Sequence, residues 1–291
     1  MIRGVLVGGA ALLLSATAAQ TGAEVRPGSF RSIALGREVS YVVDLPPSYD
    51  TSPDRRYPVV YALHGLFEGP DFWQQRGLAA IAERVRGSGV LPELLVVAVD
   101  GGNSFFVDGR AGRYQEMVTK DLIAHVEASY RVVPGRAARA VLGVSMGGYA
   151  ALHIALAQPE LFAAVATHSA MLLARVPSAE QGAGRWQMTA FHAVFGDPID
   201  PGLWSQNDPL AWARKVEAKG APALYFDCGA DDRYGLASGH RELHRILEER
   251  HVPHTFELPP GDHGYAFVRS RIETSLVFLG RALGGRRSAG D

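Results

Sequence analysis

The sequence predicts an α/β domain, with a mostly parallel central sheet and helices on both faces. Three observations predict it. Short apolar runs at 57–63, 94–99, 139–142, 162–166 and 223–227 have the look of strands buried on both sides. Stretches with helical spacing separate them, so strands and helices alternate. Finally, Val141-Leu142-Gly143-Val144-Ser145-Met146-Gly147-Gly148 reads as a strand, a sharp turn carrying one serine, and a helix start. Right-handed crossovers then bring the carboxyl ends of the strands, and their loops, to one rim.

The elements follow in order. Residues 31–45 alternate enough for a hairpin, interrupted at Gly36-Arg37. Residues 46–56 form a turn-rich loop. The strand at 57–63 is β-branched and apolar, and ends at His64-Gly65-Leu66. Residues 72–85 and 118–130 have helical spacing, on either side of the strand at 94–99. The run Tyr149-Ala150-Ala151-Leu152-His153-Ile154 is a good helix former. Residues 173–208 lack a clean period and read as a cap, since long irregular segments in domains are usually functional. A strand at 223–227, a helix at 238–250, a strand at 254–258 and a helix at 267–283 complete one domain spanning 28–284.

Composition narrows the function. The chain has 291 residues, 47% hydrophobic, enough for one sizeable core. Its net charge of −1 leaves no electrostatic footprint for nucleic acid. Residues 1–19 read as a signal peptide, with Arg3 for positive charge, an apolar stretch at 5–14 and a small-residue Ala16-Thr17-Ala18 pattern. Cleavage is expected near Ala18 or Ala19, with export to the periplasm or medium. The apolar stretch is too short to span a bilayer, so no stable membrane anchor is expected. A single cysteine, Cys228, excludes an intrachain disulfide.

The serine turn implies nucleophilic chemistry. Glycines at 143 and 147 remove side chains that would collide where a strand turns directly into a helix. The helix dipole then favours negative charge developing beside Ser145. A serine hydroxyl needs a base, and in this architecture the order along the chain is Ser, then Asp or Glu, then His. His263, in Pro260-Gly261-Asp262-His263-Gly264, sits on a glycine-flanked loop after a late strand. Three carboxylates compete for the acid: Asp227, Asp231 and Asp232. Asp227 is still in its strand; Asp232 is favoured, with Asp231 its rival. The oxyanion donors expected are the backbone N–H groups of Met146 and Leu66. Phe67, Phe105, Phe106 and Trp73 are candidates for an apolar substrate pocket, with His168 a further lining candidate. His64 reads as a structural hydrogen-bonding residue. His240 and His244 stand one turn apart, a spacing that can bind zinc. The glutamate of a zinc-protease motif is misplaced there, because Glu242 comes two residues after the first histidine. They are read as a surface pair, and no metal or cofactor is expected.

Together these stretches resemble the esterase D-like putative esterase family of α/β-hydrolases, which includes feruloyl and acetylxylan esterases, tributyrin-type esterases, S-formylglutathione hydrolases and mycolyltransferases. The carriers are Tyr57-Pro58-Val59-Val60-Tyr61-Ala62-Leu63-His64-Gly65, Gly101-Gly102-Asn103-Ser104-Phe105-Phe106, the run 143–148, Cys228-Gly229-Ala230-Asp231-Asp232 and Gly261-Asp262-His263-Gly264. The resemblance covers about 41–279. It implies that Asp232 is the acid and that Leu66 and Met146 are the oxyanion donors. Two departures stand out: no acyl-chain tunnel signature, and no cysteine-containing pattern of S-formylglutathione hydrolases around His64. The expected function is an exported serine carboxylesterase acting on a small-molecule or glycan-linked ester. The alternative is an acyltransferase using the same triad with a sugar or lipid acceptor.

Overall fold

The structure, a computed structural model, describes residues 24–178 and 185–284. The expected signal peptide at 1–19 lies outside the described residues, as does part of the cap segment.

Eight strands form one sheet in the order β1-β2-β4-β3-β7-β8-β9-β10. β1 (Glu24–Ser32) and β2 (Arg37–Leu45) make an antiparallel hairpin, turned at Gly36 with φ 63°, a conformation glycine adopts without Cβ strain. β2 pairs antiparallel with β4 (Leu95–Val99). The remaining pairs are parallel: β4 with β3 (Val59–Leu63), β3 with β7 (Arg139–Val144), β7 with β8 (Ala164–His168), β8 with β9 (Ala223–Asp227), and β9 with β10 (His254–Glu257). A separate two-residue ribbon pairs β5 (Asp108–Gly109) with β6 (Gly112–Arg113).

The central strands are buried on both sides because each face has its own helical layer. Val59, Tyr61 and Leu63 point into one core with α5 (Met146–Ala157), while Val60 and Ala62 point into the other. Helix α4 (Ile123–Ser129) and α9 (Ala237–Glu249) share the first layer. Helices α2 (Leu78–Gly87) and α10 (Tyr265–Gly284) form the second.

The expected single helix at 72–85 is two, α1 (Phe72–Gln75) and α2, because Gly77 takes φ 78° between them. The helix expected from 118 begins earlier, with α3 (Tyr114–Glu116), and runs through a π-helical segment Met117–Leu122 into α4. The strand expected at 162–166 lies two residues later, at β8, so His168 closes the strand rather than following it. The segment about 173–208 contains α6 (Arg185–Phe195) and α7 (Pro201–Asn207) and ends at the residue that caps α8 (Pro209–Ala213). Asp200 and Asp208 cap α7 and α8 ahead of a proline at the first helical position.

Candidate active site

The strand carboxyl ends meet at one rim, and Ser145 stands at its middle. Its backbone is at φ 52°, ψ −113°, a region that costs a non-glycine residue of order 1–3 kcal/mol. The neighbours hold it there. Ser145 N–H donates to the His168 carbonyl at 3.0 Å, and the Ser145 carbonyl accepts from Tyr149 and Met171 N–H at 2.9 Å each. A Cβ on Gly143 would overlap the Gly147 carbonyl, and one on Gly147 would overlap the carbonyls of Leu63 and His64. The glycines are therefore required by backbone packed against backbone. Met146 opens α5, so its N–H is among the four that have no acceptor within the helix.

Ser145 and His263 line the same cavity of about 210 Å³, together with Leu66, Phe67, Met171 and Tyr234. His263 Nδ1–H donates to Asp232 Oδ2 at 2.9 Å. Asp232 is buried, 7% exposed, and its other oxygen accepts from Tyr234 N–H at 2.9 Å. Burial alone would raise the Asp232 pKa; the hydrogen bond and charge of His263 outweigh it and hold the carboxyl below its ordinary value. The rival Asp231 is exposed. The Cys228 thiol is buried, donates to Asp232 Oδ2 at 3.5 Å, and has its pKa pushed well up, first by burial and then by the Asp232 charge.

The Asp232 loop and the His263 loop are joined backbone to backbone. Ala230 N–H donates to the Pro259 carbonyl at 2.8 Å and Asp231 N–H to the Gly261 carbonyl at 2.9 Å. Gly229 approaches Gly261 so closely that a Cβ there would overlap its carbonyl. Asp262 secures the junction from outside. Its carboxylate accepts from Arg233 N–H at 2.8 Å and His263 N–H at 2.6 Å, and pairs with the Arg233 guanidinium. That guanidinium bond holds the Asp262 pKa down to about 2.

The loop after β3 supplies the opposite wall. His64 Nε2 accepts from Gly101 N–H at 3.0 Å, so its Nδ1 carries the proton and donates to the Gly65 carbonyl at 2.7 Å. An imidazole engaged at both nitrogens is a structural clamp. Phe67 takes φ 63° and donates its N–H to Asn103 Oδ1 at 2.8 Å. Its side chain is 68% exposed at the mouth, near Tyr234 and Tyr265.

Three pocket expectations are corrected, and Trp73 with them. Phe105 and Phe106 are fully buried. Their positive φ angles of 57° and 50° turn the rings under the loop. Phe105 stacks on Phe191 at 5.2 Å, and Phe106 meets the edge of His64 at 5.2 Å. Trp73 is also core, against Phe72. His168 is 0% exposed and faces away from the cavity-lining residues, its Nδ1 on Asp227 at 3.0 Å and its Nε2 on Ser275 Oγ at 3.0 Å. The described cap helices pack on Phe105 and Tyr149 and supply none of the cavity's lining residues. The surface reading of His240 is also corrected: it is 0% exposed, with Nδ1 on the Leu236 carbonyl at 2.9 Å.

Sequence reasoning missed Asp262, Asn103 and Tyr234. The Asp-His pair was visible, but only the fold shows that Asp262 faces Arg233 across the junction.

The family model described as "Putative esterase" matches residues 32–279. The chain belongs to this esterase family. It is 28% identical over 274 residues to an S-formylglutathione hydrolase of Paracoccus denitrificans, covering 87% of this chain and 92% of that protein. An acetyl esterase of Caldicellulosiruptor saccharolyticus is 26% identical over 270 residues, covering 87% and 97%. Among solved structures, a ferulic acid esterase superposes with TM-score 0.78 at 24% identity, over 91% of this chain and all of that one. The chain shares the α/β-hydrolase fold with that neighbour, and its family is one of esterases.

Proposed function

We propose that this esterase cleaves a carboxylic ester through an acyl-enzyme on Ser145, with His263 as base and Asp232 as its orienting acid. The observation that carries the reading is the buried Asp232 carboxylate holding His263 Nδ1 at 2.9 Å beside the cavity that Ser145 lines. In this scheme His263 Nε2 takes the Ser145 hydroxyl proton as Oγ attacks the ester carbonyl. Asp232 fixes the tautomer and stabilises the imidazolium. The oxyanion is received by the N–H groups of Met146 and Leu66, each such donor being worth about 3 kcal/mol at the transition state. His263 returns the proton to the leaving alcohol. Water then repeats the sequence, its proton passing through His263 to Ser145 as the acid is released.

The substrate is a small-molecule or glycan-linked ester. A cavity of about 210 Å³ with Phe67, Tyr234 and Tyr265 near its mouth fits a short acyl or a single aryl group. Export is part of the proposal: Arg3, the apolar stretch at 5–14 and Ala16-Thr17-Ala18 support it. Amino-terminal sequencing of the secreted protein should then begin just after Ala18 or Ala19. Among the described residues no helix is long and apolar enough to cross a membrane.

Hydrolysis of p-nitrophenyl esters of graded length and of methyl ferulate, by wild type and Ser145→Ala, tests the reading. Activity on short or aryl esters that vanishes in the variant is expected. Full activity in Ser145→Ala would overturn it. Ester products of added sugar or lipid acceptors would replace hydrolysis with acyl transfer.

A further inference from the structure

At the opposite end of the sheet, three ligand-bearing side chains converge. His244 and Glu248 lie one turn apart on α9, so they share a helix face. His254 is the first residue of β10 and pairs with Leu224 near the start of β9. It therefore sits at the amino ends of the parallel strands, whereas Ser145 follows the carboxyl end of β7. The ligand atoms of the three side chains all lie within 4.8 Å of one another.

The hydrogen bonds say which atoms offer lone pairs. The Val252 carbonyl can only accept, so His254 Nδ1 carries its proton and donates there at 2.8 Å. His254 Nε2 is directed at His244 Nδ1, 2.8 Å away. A backbone carbonyl on one imidazole nitrogen is the usual way to fix and orient the other as a metal ligand. Aromatic rings hold both imidazoles. Phe226 stacks on His254 at 5.6 Å, and Phe256 lies against His244 at 5.0 Å. The His254 side chain is only 2% exposed, while Glu248 is 66% exposed and completes the group from the solvent side, its Oε1 3.7 Å from His254 Nε2.

We propose that His244, Glu248 and His254 form a binding site for one divalent transition-metal ion of the zinc type. Two imidazole nitrogens and one carboxylate oxygen suit such an ion, with water as the fourth ligand. Tetrahedral coordination at about 2.0–2.1 Å sets the two nitrogens about 3.3 Å apart. The rings therefore separate by about 0.5 Å as metal replaces the N–H···N bond. The His244 Nδ1 proton leaves to solvent and Nε2 is reprotonated, so the imidazole remains neutral. The pairing differs from the one that spacing suggested, because His240 is buried under the helix. The ion would tie α9 to β10, the strand that leads into the His263 loop. It would act on the fold, not on the ester.

The test uses untagged, chelator-stripped protein titrated with Zn²⁺ by calorimetry and with Co²⁺ by visible absorption. The expected result is one saturable ion per chain, a tetrahedral Co²⁺ spectrum, and a Tm that rises with Zn²⁺. Loss of a direct ligand should weaken binding at least as much as loss of an outer-sphere partner, roughly 10- to 100-fold. His244→Gln and Glu248→Gln should both show that loss. Glu248→Gln changes an exposed carboxylate and keeps the fold, so it decides the matter if a histidine variant is unstable. His251→Gln, on the adjacent turn, should bind as wild type. No saturable binding up to about 1 mM, or equal affinity in wild type, Glu248→Gln and His244→Gln, would overturn the proposal. Esterase turnover, read separately, should be the same in Glu248→Gln as in wild type.

Discussion

Two aspartate–histidine pairs with a serine nearby stand out among the described residues, one beside the cleft and one in the core. At the rim, Ser145 and His263 line the cleft and Asp232 holds His263. Beneath it, Ser275 and Asp227 bracket His168 at 3.0 Å on either side, and all three are 0% exposed. By residue type the two are alike, and in each an aspartate oxygen meets the histidine Nδ1. They differ in backbone and in surroundings. Ser145 is lifted on a strained turn at φ 52°, whereas Ser275 lies inside α10 and donates its hydroxyl to the Ile272 carbonyl at 2.9 Å. Besides its histidine, Asp232 accepts from Tyr234 N–H and the Cys228 thiol, whereas Asp227 accepts from the Tyr225 hydroxyl at 2.7 Å and the Arg271 guanidinium at 3.0 Å. A serine beside a histidine beside an aspartate thus serves as a joint between β8, β9 and α10 unless the backbone presents the hydroxyl to a substrate.

The largest expected effect is on the serines. Ser145→Ala should lower kcat/KM by roughly 10⁴-fold or more, the loss typical of a removed nucleophile. Ser275→Ala should keep kcat/KM within about two-fold and cost about 1–3 kcal/mol of stability, because two hydrogen bonds are lost and His168 Nε2 is left buried without a partner. A Ser275→Ala protein that is fully folded yet inactive, and unlabelled by a fluorophosphonate, would break the distinction.

The aspartates sharpen it. Asp232→Asn should lower kcat by about 10⁴-fold, because the imidazole then adopts the wrong tautomer, and Asp231→Asn should be near wild type. Similar losses in both variants, read on the same ester, would mean that the exposed carboxylate also reaches the imidazole. Asp227→Asn should instead act on stability, by about 3 kcal/mol, since it leaves the Arg271 guanidinium without its buried partner. Urea midpoints and kcat measured together separate these outcomes.

The smallest effect is one of pH. Burial would raise the Asp227 pKa, but the charge and hydrogen bonds of His168, with Tyr225 and Arg271, hold it below the ordinary aspartate value. The folded state therefore releases this proton more readily than the unfolded chain. The stability so gained is complete above about pH 4 and is lost as pH falls through the lower folded value. Wild type should lose stability on acidification more steeply than Asp227→Asn. Parallel curves from about pH 7 to about pH 3 would remove Asp227 from the account.

Much of this was legible in the sequence because steric demands leave residue-level traces. Gly143 and Gly147 are required by backbone overlap, and the apolar runs have no polar face to offer water. The cap was less legible: its helices are short, and their signal lay in two Asp-Pro pairs, at 200–201 and 208–209, rather than in a period. Phe105 and Phe106 misled because an aromatic pair in a glycine-rich loop looks like a pocket wall. Nothing in the local sequence announces that both adopt left-handed backbone and fold inward. His168 misled by two residues of strand register, enough to exchange rim for core.

The close meeting of Gly229 and Gly261 has a consequence for how such a protein can diverge. With carbonyl against α-carbon and two main-chain bonds across the seam, Asp232 and His263 travel as one rigid piece. The facing wall, from Leu66 to Phe67, hangs from a different strand and is tethered by Asn103. Insertions and substitutions there can reshape the mouth without altering the 2.9 Å bond between His263 and Asp232. One half of the cleft is an heirloom and the other is wardrobe.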